Sequence, residues 1–154
     1  MGGSPDEQVT ARDRFVETRK AVVELESIRA RLSEHGEEWR PETVHVNEIS
    51  DPTANQAVFN VDVLGDELNR LRQREKELAE FVNVSLRLIG HVKIGLGFEY
   101  ADLLTKRYID GLSWGQLVAE CNRSKSTMRR MASVSFDWID SLGVTKILRG
   151  DYEL

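Results

Sequence analysis

Ser113–Trp138 reads SWGQLVAECNRSKSTMRRMASVSFDW, and its reading decides how the C-terminal part of the chain folds. Ser113 is a good helix N-cap, because its hydroxyl can accept a bond from a free amide in the first turn. Trp114, Leu117, Val118 and Cys121 then recur at helical spacing and define the inward side of a short helix. Asn122 follows, and asparagine tolerates the left-handed backbone needed where a helix stops and the chain turns sharply. Two residues later Ser124 caps a second helix, with Met128, Met131, Val134 or Ser135, and Trp138 as its inward stripe. Helix, tight turn, helix is the helix-turn-helix pattern. The second helix of that pattern ordinarily enters the major groove of duplex DNA, with its N-terminal residues at the base edges.

Charge sharpens the reading. The 154-residue chain carries a formal net charge of −5. Yet Arg123, Lys125, Arg129 and Arg130 fall close together with no acid between them. Residues 1–98 hold 18 acids and 13 bases, whereas residues 99–154 hold 8 of each. All of the excess acid therefore lies in the first part, and the two parts are expected to do different work. Lys125, Ser126, Thr127, Arg129 and Arg130 fall on or beside the face opposite the methionines. Arginine can take guanine in a bidentate fork, while lysine, serine and threonine serve bases or phosphates. Arg123 and Ser124, at the turn and the helix start, complete the candidate DNA-binding set, since free amides and the dipole at a helix start favour phosphate.

Working outward, residues 99–110 predict a helix with Leu103, Leu104, Tyr108 and Ile109 as its apolar members, stopped by Gly111. The segment IGLGF at 94–98 breaks the pattern and reads as a hinge over 95–98. Upstream, residues 58–94 predict a long helix. Heptad position a falls on Val61, Leu68, Glu75, Val82 and Ile89, and position d on Leu64, Leu71, Leu78, Ser85 and Val92. Residues 6–34 predict a second amphipathic helix, with Phe15, Val22, Leu25, Ile28 and Leu32 inward and Gly36 as its C-terminal cap. Residues 37–57 read as a connector, with a short extended piece at 43–49. The expected fold is all-α. A long antiparallel helical hairpin over 1–94 precedes a three-helix helix-turn-helix domain over 99–142, and a tail over 143–154 carries no readable motif. The arm is either a solvated spacer or a dimerisation or docking surface.

Other classes find little support. No apolar run approaches a membrane span, the N-terminus lacks the apolar core of a secretory signal, and the single Cys121 precludes an internal disulfide, so a reducing cytoplasm is expected. His35, His45 and His91 have no metal-ligand spacing with Cys121, and neither metal nor cofactor is expected. No pairing of nucleophile and base is visible, so an enzyme is not expected.

The stretch YIDGLSWGQLVAECNRSKSTMRRMASVSFDWI, residues 108–139, resembles the fourth conserved region of bacterial sigma factors. Tyr108, Gly111, Leu112, Ser113, Leu117, Ser124, Ser126, Thr127, Arg129 and Arg130 carry the resemblance, with Met128 at the usual valine. Together with the upstream helical hairpin, the order resembles the small sigma-like late-gene transcription activators of phages and prophages (ArpU/RinA-like). The resemblance implies promoter DNA and RNA polymerase as partners in a bacterial host cell, and an arm that forms a homodimer or higher oligomer or contacts the polymerase. Three residues depart from the pattern. Val118 replaces alanine and is expected to push the two helices slightly apart. Asn122 replaces the turn glycine. Arg123 replaces a buried aliphatic residue, and is expected to snorkel outward and join the DNA face. Two other readings stay open: a small terminase subunit for DNA packaging, which usually places its DNA-binding part first, and a protein-docking adaptor without DNA contact.

Overall fold

A computed structural model describes residues 9–38 and 52–154. The described residues are helical and contain no strand. The elements are α1 (Ala11–Glu38), α2 (Pro52–Gly95), α3 (Phe98–Leu104) continued by a π-helical turn (Thr105–Ile109), α4 (Trp114–Cys121), α5 (Lys125–Leu142) and α6 (Val144–Leu148).

Local chemistry explains the helix starts. Thr10 accepts a bond from the Asp13 amide at 3.1 Å and so caps α1. Pro52 opens α2, where its missing N–H costs nothing and its fixed φ suits the first helical position. The connector expected over 37–57 is therefore shorter than the turn-forming residues suggested, and its extended piece at 43–49 lies outside the described residues. Gly36 does not end α1, which continues to Glu38. A glycine inside a helix costs about 1 kcal/mol relative to alanine but does not by itself break the hydrogen-bond ladder.

The chain divides into two compact units, Met1–Val22 with Phe81–Leu154, and Val23–Glu80. In the core of the first unit, Ala11 and Phe15 of α1 and Leu88, Ile89 and Val92 of α2 join Leu104, Tyr108, Leu117, Met128, Phe136 and Ile147 in one cluster. Phe15 is fully buried, with its ring centroid 5.7 Å from Tyr108 and 5.5 Å from Phe136. Such aromatic pairs add about 0.5–1.5 kcal/mol each beyond the area they bury. Thr18 and Ser85 are buried in the same unit, their hydroxyls 2.7 Å apart. Each serves as the other's polar partner, which a buried hydroxyl requires.

In the second unit Leu25, Ile28, Leu68 and Leu78 are buried. Arg74 binds Glu24 at 2.6 Å, and Arg29 binds Glu75 at 3.1 Å. The Arg74 hydrogen bond holds the Glu24 carboxyl below its ordinary range. Glu75, the charged intruder in the heptad pattern, is thus an ion-pair position. Leu68, Leu78, Val82, Ser85, Ile89 and Val92 of that pattern are all buried.

Two glycines matter for how the first unit closes. Gly97 takes φ 119° and lets α2 turn into α3 across a two-residue break. A Cβ on Gly95 would run into the indole of Trp138, so the end of α2 lies against that ring. The tail packs back on the same place. Ile147 is fully buried, the Tyr152 hydroxyl lies 2.7 Å from His91 Nδ1, and its ring centroid is 5.3 Å from that of Trp138.

Candidate nucleic-acid interface

The site is built on α4, α5 and the turn between them, and each boundary has a local cause. Upstream, Gly111 takes φ 81°, a conformation that glycine adopts without Cβ strain. The guanidinium of Arg19 lies against its Cα and donates to the Ile109 carbonyl at 2.7 Å. Arg107 donates to the Leu112 carbonyl at 2.9 Å. Arg19 thus satisfies a carbonyl left free where the π-helical turn ends, and Arg107 one in the loop that follows.

Ser113 caps α4 as expected, in a fuller form than its hydroxyl alone suggests. Its Oγ accepts from the Gln116 amide at 3.1 Å, while the Gln116 side chain accepts from the Ser113 amide at 2.8 Å. This reciprocal pair is a capping box. Asn122 ends α4 in the left-handed region, at φ 56° and ψ 41°, and its amide donates to the Val118 carbonyl at 3.0 Å. Ser124 then caps α5, accepting from the Thr127 amide at 3.2 Å and lying 2.7 Å from the Thr127 hydroxyl.

Behind α5, the inward stripe comprises Met128, Met131, Ala132, Ser135, Phe136 and Ile139. Between the two candidates for the third position, Ser135 is fully buried and Val134 is exposed. Ser135 donates to the Met131 carbonyl at 3.0 Å, which removes the cost of its burial. On α4, Leu117 alone is fully buried, Trp114 and Cys121 are half-buried, and Val118 is exposed. Val118 therefore does not face inward as its spacing suggested. Trp114 and Cys121 pack against the edge of the core, and Val118 lies outside it.

The candidate residues fall into distinct groups. Lys125, Ser126, Arg129 and Arg130 are exposed on α5. Lys125, Arg129 and Arg130 make no ion pair with any described residue, and Arg129 lies 5.6 Å from the Trp114 ring centroid. Ser124 and Thr127 are engaged with each other in the cap. Arg123 does leave the core, but it turns onto Glu99, with Nη2 to Oε2 at 2.8 Å and Nη1 to the Met131 sulfur at 3.7 Å. It borders a cleft of about 200 Å³ between α3 and the start of α5, floored by Leu103, Cys121, Met128 and Met131. Lys106, on the same cleft, is paired with Asp102 at 2.9 Å and Glu120 at 3.4 Å. Its ammonium is raised above the ordinary lysine range, chiefly by the hydrogen bond to Asp102.

Two cations beside this surface were not legible in the sequence. Arg107 lies 5.0 Å from the Trp114 ring centroid, so that Trp114 has the guanidiniums of Arg107 and Arg129 near its ring. Arg12, from the first turn of α1, donates to the Ser133 hydroxyl at 2.9 Å and lies 5.1 Å from the Phe136 centroid. Helical spacing placed neither there, because both depend on contacts between elements.

Tyr108, which carried part of the sigma-like resemblance, is a core residue, 7% exposed, and burial raises its phenol above the ordinary range. Among the described residues no group of histidine, cysteine, aspartate or glutamate is arranged to hold a metal ion. No helix among them is long and apolar enough to cross a membrane. No family model, curated protein or solved structure matches the chain.

Proposed function

We propose that the protein is a DNA-binding transcription regulator of the sigma-like phage and prophage type. In this reading α4 and α5 are the helix-turn-helix and α5 is the helix that enters the groove. Helices α1 and α2 form an antiparallel hairpin that serves as an arm. Promoter DNA is the ligand, RNA polymerase is the partner that the family resemblance implies, and the setting is a bacterial host cell.

One observation carries this reading. Lys125, Arg129 and Arg130 are exposed within the first two turns of one helix, none of them has a carboxylate partner among the described residues, and no acid stands between them. Like charges gathered without counter-charges repel each other and are stabilised when a polyanion approaches. The helix carrying them is capped at its start and packed along its back, so the cations are presented on a rigid element. Leu68, Leu78, Val82, Ile89 and Val92 are already buried within the chain, whereas Leu64 and Leu71 are half-buried. Oligomerisation through the arm would use its outer faces.

The test is duplex binding as a function of salt, read by fluorescence anisotropy on a random-sequence duplex. Each lost phosphate contact flattens the dependence of log K on log salt by about 0.9. Arg129→Ala combined with Arg130→Ala should reduce affinity and flatten the slope by about 1.8. An unchanged slope and affinity would remove α5 from any nucleic-acid site and leave the protein-docking adaptor as the better reading.

A further inference from the structure

We infer that Arg12, 113 residues before Lys125 in the sequence, is a phosphate-contacting residue of the same surface. The arm thus supplies one of the cations that bind DNA. This inference rests on the DNA-binding reading above and extends the site across the fold.

Arg12 and α5 belong to the same compact unit. Asp140 on α5 accepts a bond from the Ala11 amide at 2.8 Å, and so caps the start of α1 from outside that helix. That bond fixes the backbone next to Arg12. Nη2 of Arg12 then donates to the Ser133 hydroxyl at 2.9 Å, and its guanidinium lies over the Phe136 ring at 5.1 Å. Three contacts thus hold an exposed arginine in one place on α5.

Register supplies the second step. Ser133 lies four residues after Arg129 and three after Arg130, so all three share one side of the helix. The Arg12 guanidinium therefore continues the cationic face by about one turn. It makes no ion pair with any described residue, and the acids further along α5, Asp137 and Asp140, lie beyond Ser133. Asp140 is engaged with the α1 amide. A guanidinium held by a hydroxyl and a ring keeps N–H donors free. An immobilised arginine also loses less side-chain entropy on meeting phosphate than a free one.

The experiment uses the full chain and the same random-sequence duplex, between about 50 and 200 mM salt. Arg12→Gln keeps a donor for Ser133 and removes the charge. Arg12→Lys keeps the charge. Far-ultraviolet circular dichroism and thermal melting confirm that each variant is folded. The expected result is a slope flattened by about 0.9 for Arg12→Gln, so that its affinity deficit shrinks about threefold across that salt range, with the slope retained in Arg12→Lys. A wild-type slope in Arg12→Gln, alongside a flattened slope in the Arg129→Ala, Arg130→Ala variant, would overturn the role of Arg12 and leave the α5 site standing. Wild-type slopes in both would overturn the DNA-binding reading and this inference with it.

Discussion

Replacing Gly90 and Gly95 by alanine should move stability in opposite directions, although both lie on α2 five residues apart. Gly90 is exposed, and a Cβ built there meets nothing within 4 Å. Alanine is favoured over glycine in a helix interior by about 0.8–1.0 kcal/mol, so Gly90→Ala should stabilise by about that amount. For a chain of this size the melting temperature should rise by roughly 2–4 °C. At Gly95 the added Cβ would collide with the Trp138 indole. That ring cannot simply withdraw, because Tyr152 packs edge-on against it at 5.3 Å and is bonded to His91 at 2.7 Å. Overpacking of this kind costs about 1–3 kcal/mol. The propensity gain at the last residue of a helix offsets less than about 1 kcal/mol of it. The net effect should be destabilisation of about 1–2 kcal/mol. Urea unfolding of both variants, followed by circular dichroism, decides the matter. A Gly95→Ala protein as stable as the wild type would refute the packing of Trp138 on the end of α2. A Gly90→Ala protein less stable than the wild type would refute the open exposure of that helix face.

Asn122 adopts φ 56° between α4 and α5. Asn122→Gly should change stability by no more than a few tenths of a kcal/mol, whereas Asn122→Val should cost about 1–2 kcal/mol, since a branched side chain is strained there. Equal urea midpoints for the two variants would contradict the left-handed turn. In the DNA-binding reading, Glu99→Gln releases Arg123 from its carboxylate. An exposed pair of this kind is worth about 0–1 kcal/mol, so duplex affinity should rise by up to about fivefold. Affinity equal to the wild type, or the same gain in a protein that also carries Arg123→Ala, would show that Arg123 is not the residue released.

How much of this was legible in the sequence differs from residue to residue. Ser113, Asn122 and Ser124 announced their roles because caps and turns are made between residues a few positions apart. Gln116 belonged to the same local chemistry and could have been read from its place three residues after Ser113. Val118 misled, because periodicity ranks a residue by its angle on a helix and not by how far the neighbouring core extends. Gly36 misled for a related reason, since a glycine permits a helix to stop but does not require it. Arg123 could be read as leaving the core, but not as turning onto Glu99.

The two long helices, the helix pair over 114–142, the two serine caps, the left-handed turn and the methionine stripe that turns Lys125, Arg129 and Arg130 outward could all be read locally, whereas the π-helical turn and the short helix at Val144–Leu148 could not. The former follow from side chains acting on backbone within about one helical turn. Four contacts lie beyond any local reading: Arg19 on Gly111, Trp138 over Gly95, Thr18 against Ser85 and Arg12 on Ser133. Each of those contacts joins residues 43 to 121 positions apart. No local preference encodes such pairs, because they exist only once the buried faces have chosen their neighbours.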